Sequence, residues 1–325
     1  MRVIVHIGYP RTGSTFLQKN IFPVHKDICF LGPKNFLNLN DIKITQYDLN
    51  LIAEQNQDNN LKNKIIHRID KNLVQHFDKK KINIISSEQY TNYSNTINDF
   101  RDLKYLQILL NENFDNVKID FLIVLRNQFD LIKSFYYHTY QNISNFLKIY
   151  KFESIFDILD KDNLNNQTYF PLRLFLKSYD FNYLNNKLLD KFESSNIKYL
   201  FYEDLNFDKN HFINELSNFC NLDNDYTKEL FNSKIINNRK VKDNKNFYLK
   251  SYVHKIIHSK IYLFMKDKVS FKNFLKKYLS SFIYSYSTSN LKKEVVFKKK
   301  IKKYYGTSNS KFFEQTKLID RYNYQ

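Results

Sequence analysis

The sequence predicts an α/β fold in which a parallel β-sheet is flanked by helices, with a helical, Lys-rich C-terminal region from about 250 in the same domain, 1–325. Three observations predict it. Short apolar runs alternate with stretches of helical period, a pattern that builds parallel sheets covered on both faces. One of those runs is apolar almost throughout, as a strand buried on both sides must be. A glycine-framed loop joins the first run to a helical stretch, which is how a βαβ unit begins.

The elements follow in order. "RVIVHI" (2–7) is a β-branched strand, and in "STFLQKNIF" (14–22) Phe16, Leu17 and Ile21 recur at helical spacing. Residues 38–64 are rich in Asn, Asp and Gln and read as a loop or substrate-side insertion. "INIISS" (82–87), "VKIDFLIVLR" (117–126) and "IKYLFYE" (197–203) are the other strands; helices are expected at 61–78, 99–113, 128–147, 170–192 and 208–220. The glycine loop, "SSEQY" and "RNQFD" all fall just after strands, where parallel sheets bind ligands.

A chain of 325 residues buries roughly 75% of its extended surface on folding, enough for a core without metal or disulfide staples. Cys29 and Cys220 lie far apart, as small core residues of a reducing compartment. No signal-peptide core precedes the first strand, and no run reaches the ~18 apolar residues of a membrane span. A cytoplasmic protein is expected. The net charge of +18 draws anions. The same skew toward Lys, Asn, Ile, Tyr and Phe also follows from an AT-rich genome. "LKKEVVFKKKIKK" (291–303) reads first as the solvated face of a helix, and second as a peripheral contact for lipid or polyanion. With no aromatic-interleaved basic motif, no nucleic-acid partner is expected.

Gly8 and Gly13 frame a loop spaced like a phosphate-binding P-loop, followed by Ser14 and Thr15. Backbone N–H groups in such a loop converge on an anion, and the next helix adds its positive end. A triphosphatase places lysine directly after the second glycine, for the β/γ-phosphates. Here Ser14 stands there, and Arg11 is the loop's cation. A kinase or triphosphatase of the P-loop class is therefore the less favoured alternative, ahead of a basic nucleic-acid- or membrane-binding protein. At the end of the strongest strand stands Arg126, and Ser134 follows in a helical stretch. A guanidinium fork with a nearby hydroxyl would grip a second phosphate.

"GYPRTGSTFLQ" (8–18) resembles the 5′-phosphosulfate loop of sulfotransferases that use 3′-phosphoadenosine 5′-phosphosulfate (PAPS), and "TFLQ" is most like the bacterial carbohydrate-type members. The resemblance implies metal-independent transfer of a sulfuryl group to an acceptor hydroxyl, on a glycan or glycolipid, with adenosine 3′,5′-bisphosphate as product. It implies that Arg11, Thr12, Gly13, Ser14 and Thr15 hold the 5′-phosphate, and that Arg11 also stabilises charge during transfer. "RNQFDLIKSFYY" (126–137) is similar to the family's 3′-phosphate signature, which assigns Arg126 and Ser134 to that group. "SSE" after the second long strand looks like the arrangement that makes Glu88 the base. "NNRKVKDN" (237–244) lies where the family has a loop closing on the nucleotide, implying cofactor contacts from Arg239 and Lys240. "YEDL" (202–205) resembles a family turn, in which Glu203 and Asp204 are expected to bond locally. The stretch "YYGTSNSKFFEQTKLIDRYNY" (304–324) looks like the family's C-terminal tail.

Overall fold

The computed structural model describes residues 1–9, 11–31, 76–87, 100, 103, 107, 110–111, 113–138, 176–193, 195–233 and 295–324. The chain divides into two compact units. One comprises Met1–Asn127, Arg173–Ile236 and Ser308–Tyr324, and the other Gln128–Leu172 and Asn237–Thr307.

The first unit holds a five-stranded, wholly parallel sheet. Its strands are β1 (Arg2–Gly8), β2 (Ile28–Leu31), β3 (Ile82–Ser87), β4 (Lys118–Leu125) and β5 (Ile197–Phe201), in the order β2-β3-β1-β4-β5. The expected α/β architecture is present. The first strand is central, with His6 opposite Ser86 in β3 and Gly8 opposite Val124 in β4. Alternation decides which face each residue serves. Ile4, Leu122, Val124 and Leu200 bury one face beneath the helix that follows β1 (α1, Ser14–Phe16, continuing in π form as Leu17–Ile21) and three later helices. These are α4 (Tyr202–Phe207), α5 (Lys209–Cys220) and α6 (Asn224–Ser233).

Tyr199 and Phe201 alternate onto the other face. They meet α3 (Phe181–Lys191) and the tail of a helix at 295–316 (α7), with Phe312 edge-on to Tyr199 at 4.9 Å and Phe313 stacked on Phe201 at 6.4 Å. In the second unit the described residues form α2 (Gln128–His138) and the first turns of α7, where Phe129 and Phe297 are buried 6.0 Å apart.

Several expectations are corrected. The stretch expected as one helix at 170–192 breaks at Tyr179 and Asp180, because the Asp180 carboxylate accepts from the Tyr183 N–H at 3.0 Å and starts α3 anew. The last strand ends at Phe201, and Tyr202 already begins α4. The short β2 and the helix α6 carried no clear sequence signal. Cys220 is buried as expected, whereas Cys29 is half-buried, its Sγ–H donating to the His76 carbonyl. The expected helix at 61–78, the insertion at 38–64 and residues beyond 138 of the 128–147 helix lie outside the described residues, apart from the final turn near His76.

Phe312 is fully buried and touches the rings of Phe181, Tyr199 and Phe313. Truncation there leaves a cavity, so Phe312→Ala should lose about 3–5 kcal/mol of stability in urea denaturation.

Candidate functional site

The loop leaving β1 is closed upon one atom. The Tyr9 carbonyl accepts from the Thr12 N–H at 3.3 Å, the Thr12 hydroxyl at 2.7 Å and the Ser14 hydroxyl at 3.2 Å. Thr12 and Ser14 are thereby buried inside the turn, and Thr15 remains exposed. Gly13 adopts φ 81°, a left-handed geometry natural to glycine, and a Cβ on it would press against Leu205 at 3.0 Å. Arg11 takes φ 76° without that freedom, a cost of about 1–2 kcal/mol that the loop's bonds must hold in place. At Gly8 the limit is space: a Cβ there would lie 2.4 Å from Ser14 Oγ. The N–H groups of Gly13, Ser14 and Thr15 have no acceptor among the described residues. They form the open, positive start of α1.

Beneath the loop a buried polar chain joins three elements. His6 Nδ1 of β1 lies 2.6 Å from Ser86 Oγ of β3, and Gln18 Nε2 of α1 donates to the same hydroxyl at 2.9 Å. Burial lowers the His6 pKa to about 3, so the ring is neutral at physiological pH. Its role is structural, joining β1 to β3. Likewise His25, on the turn after α1, is a structural histidine bonded to Thr227 at 3.1 Å.

Arg126 follows β4 directly. Its Nη1 reaches across to the Arg11 carbonyl at 2.8 Å, and its guanidinium lies over the Tyr202 ring at 4.7 Å. The adjoining Asn127 N–H donates to Glu203 Oε1 at 2.9 Å, and Tyr324 O–H donates to Glu203 Oε2 at 2.5 Å. Burial raises the Glu203 pKa, opposed by the Asn127 and Tyr324 hydrogen bonds and the Arg126 charge. Glu203 was expected to bond locally, and that is corrected: its partners lie 76 and 121 residues away. Asp204, also read as local, takes Arg321 at 3.0 Å and the Tyr322 hydroxyl.

Of the residues singled out from the sequence, Arg11, Thr12, Gly13, Ser14, Thr15 and Arg126 thus gather at one end of β1 and β4. Ser134 is half-buried on α2 in the second unit. Glu88, Arg239 and Lys240 lie outside the described residues. Sequence reasoning missed Glu203 and Tyr324 as parts of the site. The "YEDL" turn and the closing "Y-x-Y" were visible, but nothing local ties one to the other.

The sequence matches the sulfotransferase domain family over residues 2–292. The chain belongs to the sulfotransferase family. Its activity is accordingly that of a transferase with an acceptor substrate. Two solved structures are similar. A sulfotransferase from Alicyclobacillus acidocaldarius is 16% identical, with a TM-score of 0.39 over 82% of this chain and 96% of that one. The sulfotransferase domain from the curacin biosynthetic pathway is 14% identical, with a TM-score of 0.31 over 68% and 74%. No curated protein matches the sequence. Among the described residues of this sulfotransferase, no helix is long and apolar enough to cross a membrane.

The neutral His6 links stability to pH. Its folded pKa of about 3 lies below the ordinary 6.5, so between these values the unfolded chain binds a proton that the folded one refuses. Stability should therefore fall as pH drops below 6.5, by up to about 1.4 kcal/mol per pH unit from this group. Urea denaturation at pH 7 and pH 5 checks it: His6→Asn should show a visibly shallower loss than the unmodified chain.

Proposed function

We propose that this sulfotransferase moves a sulfuryl group from PAPS to the hydroxyl of a carbohydrate or glycolipid acceptor, releasing adenosine 3′,5′-bisphosphate. One observation carries the reading: Arg126 is hydrogen-bonded to the carbonyl of Arg11, so a second cation stands on the rim of the glycine loop. A nucleoside phosphorylated at both 5′ and 3′ positions presents two anions to such a pair. The residues present fit the donor. Unpartnered N–H groups at 13–15 open toward one anion, and the Nε and Nη2 donors of Arg126 make no hydrogen bond among the described residues. Serine at position 14, where a triphosphatase has lysine, suits a donor without a γ-phosphate.

The bound donor supplies an activated sulfuryl group. In this reading Gly13, Ser14 and Thr15 offer backbone donors to the 5′-phosphate. Thr12 and Ser14 hydroxyls hold the loop shape, and Arg11 stabilises charge on the departing phosphate. Arg126 takes the 3′-phosphate, and the family resemblance adds Ser134, Arg239 and Lys240 as further cofactor contacts. Glu88, two residues beyond Ser86, takes the acceptor proton. A charge of +18 suits an acidic glycan, and the Lys-rich 291–303 stretch a membrane surface that carries one.

Calorimetric titration tests the donor site. Without Mg²⁺, adenosine 3′,5′-bisphosphate should bind at least ~10-fold more tightly than AMP, and Arg126→Ala should erase that ratio. Mg²⁺-dependent ATP turnover without a bisphosphate preference would defeat the reading. With a labelled sulfuryl donor and glycan acceptors, Glu88→Gln should lose 10²–10⁴-fold in turnover, on the order of a removed general base, while still binding the bisphosphate.

A further inference from the structure

We infer that Tyr324 is a positioning residue for the nucleotide site: by occupying one oxygen of Glu203, it keeps that carboxylate from pairing with Arg126 and leaves the guanidinium open to a 3′-phosphate. The inference rests on the donor reading above and adds to it a specificity device built from the last residues of the chain.

Glu203 accepts from the N–H of Asn127, the residue after Arg126, and the Arg126 guanidinium lies over the ring of Tyr202, the residue before Glu203. Opposite charges so placed ordinarily pair, and a carboxylate gripping the guanidinium would occupy the donors that an incoming phosphate needs. No ion pair joins the two side chains here, and each carboxylate oxygen already has a neutral donor that sets its direction. Oε1 holds the Asn127 N–H at 2.9 Å and Oε2 holds the Tyr324 hydroxyl at 2.5 Å. The second distance is that of a charge-assisted O–H···O⁻ bond.

The hydroxyl is aimed by its surroundings. Its ring is 2% exposed and packs with Phe181, Phe201 and Phe313 at 6.0, 5.6 and 6.1 Å. The Tyr324 backbone is fixed at both groups, its N–H to Asp320 at 2.9 Å and its carbonyl to the buried Asn309 amide at 2.7 Å. One turn earlier, Arg321 forks onto Asp204 at 3.0 Å and Asp208 at 2.9 Å, pinning residues 320–324 to α4. The end point of this anchoring is the Glu203 carboxylate.

Tyr324→Phe removes the hydroxyl and keeps the ring. Titrated with adenosine 3′,5′-bisphosphate and with AMP, this variant should lose about tenfold for the bisphosphate and almost nothing for AMP, the size of one charge-assisted bond. Tyr324→Phe/Glu203→Gln should recover to within a few-fold of the parent, since a neutral amide has no charge to draw the guanidinium. A merely structural tyrosine would not be rescued that way. Tyr322→Phe, which cuts the neighbouring bond to Asp204, should leave the ratio unchanged. Should Tyr324→Phe fold poorly, Glu203→Asp retains the charge but falls short of the hydroxyl, and should show the same selective loss. An unaltered ratio in Tyr324→Phe, an equal loss for both nucleotides, or failure of the double variant to recover would each overturn the inference while the donor reading stood. A parent protein with no bisphosphate preference would overturn both.

Discussion

The site depends on a single carbonyl oxygen, that of Tyr9. Three donors converge on it, and the turn they close forces Gly13 and Arg11 into left-handed backbone. Everything downstream inherits that geometry. The N–H groups at the start of α1 have no acceptor among the described residues, and the Arg11 carbonyl is turned to where Arg126 can reach it. The loop leaves the central strand, so its mouth is flanked by the ends of β3 and β4 and not by a sheet edge. Since Gly8 has no side chain, Ser14 can fold back over the strand end.

The loop is also braced from below. Ser86 is the meeting point of β1, β3 and α1, through His6 and Gln18. A neutral histidine serves this purpose where a charged one would not, because an imidazolium held in the core would be costly to keep out of water. The bracing sits two residues before Glu88 in the chain. A shift of Ser86 would therefore disturb both the helix behind the loop and the strand that leads to the proposed base.

Much of this was legible in the sequence, for reasons that can be named. The strands β1, β3 and β4 declared themselves by unbroken β-branched and apolar runs, and the loop by two glycines whose spacing has a backbone meaning. Arg126 was legible as a residue at the carboxyl end of the sheet because it directly follows the strongest apolar run. What escaped was long-range. The bond between Glu203 and Tyr324 joins positions 121 apart, and that between His25 and Thr227 joins positions 202 apart; periodicity carries neither. The extent of β5 was overestimated for a related reason, since "FYE" is apolar enough to continue a strand. A helix begins there instead, at Tyr202, and its Glu203 reaches the Asn127 N–H. Strand β2 has only four residues, too few for alternation to show. Glu88, Arg239 and Lys240 rest on family resemblance alone.

A guanidinium is planar, and the two ways of holding it have different consequences. An aromatic ring takes its face and leaves the N–H edge untouched, whereas a carboxylate takes the edge. Arg126 is held by its face on Tyr202 and by one edge donor on the Arg11 carbonyl. Among the described residues it is thus oriented without an ion pair. The adjoining Glu203 carboxylate accepts from an amide N–H and a phenol, both neutral donors. A surface arginine would be mobile and screened, and an ion-paired one would be rigid but silent. Face stacking on Tyr202 with one bond to the Arg11 carbonyl gives an arginine that is fixed while its remaining edge donors keep their charge.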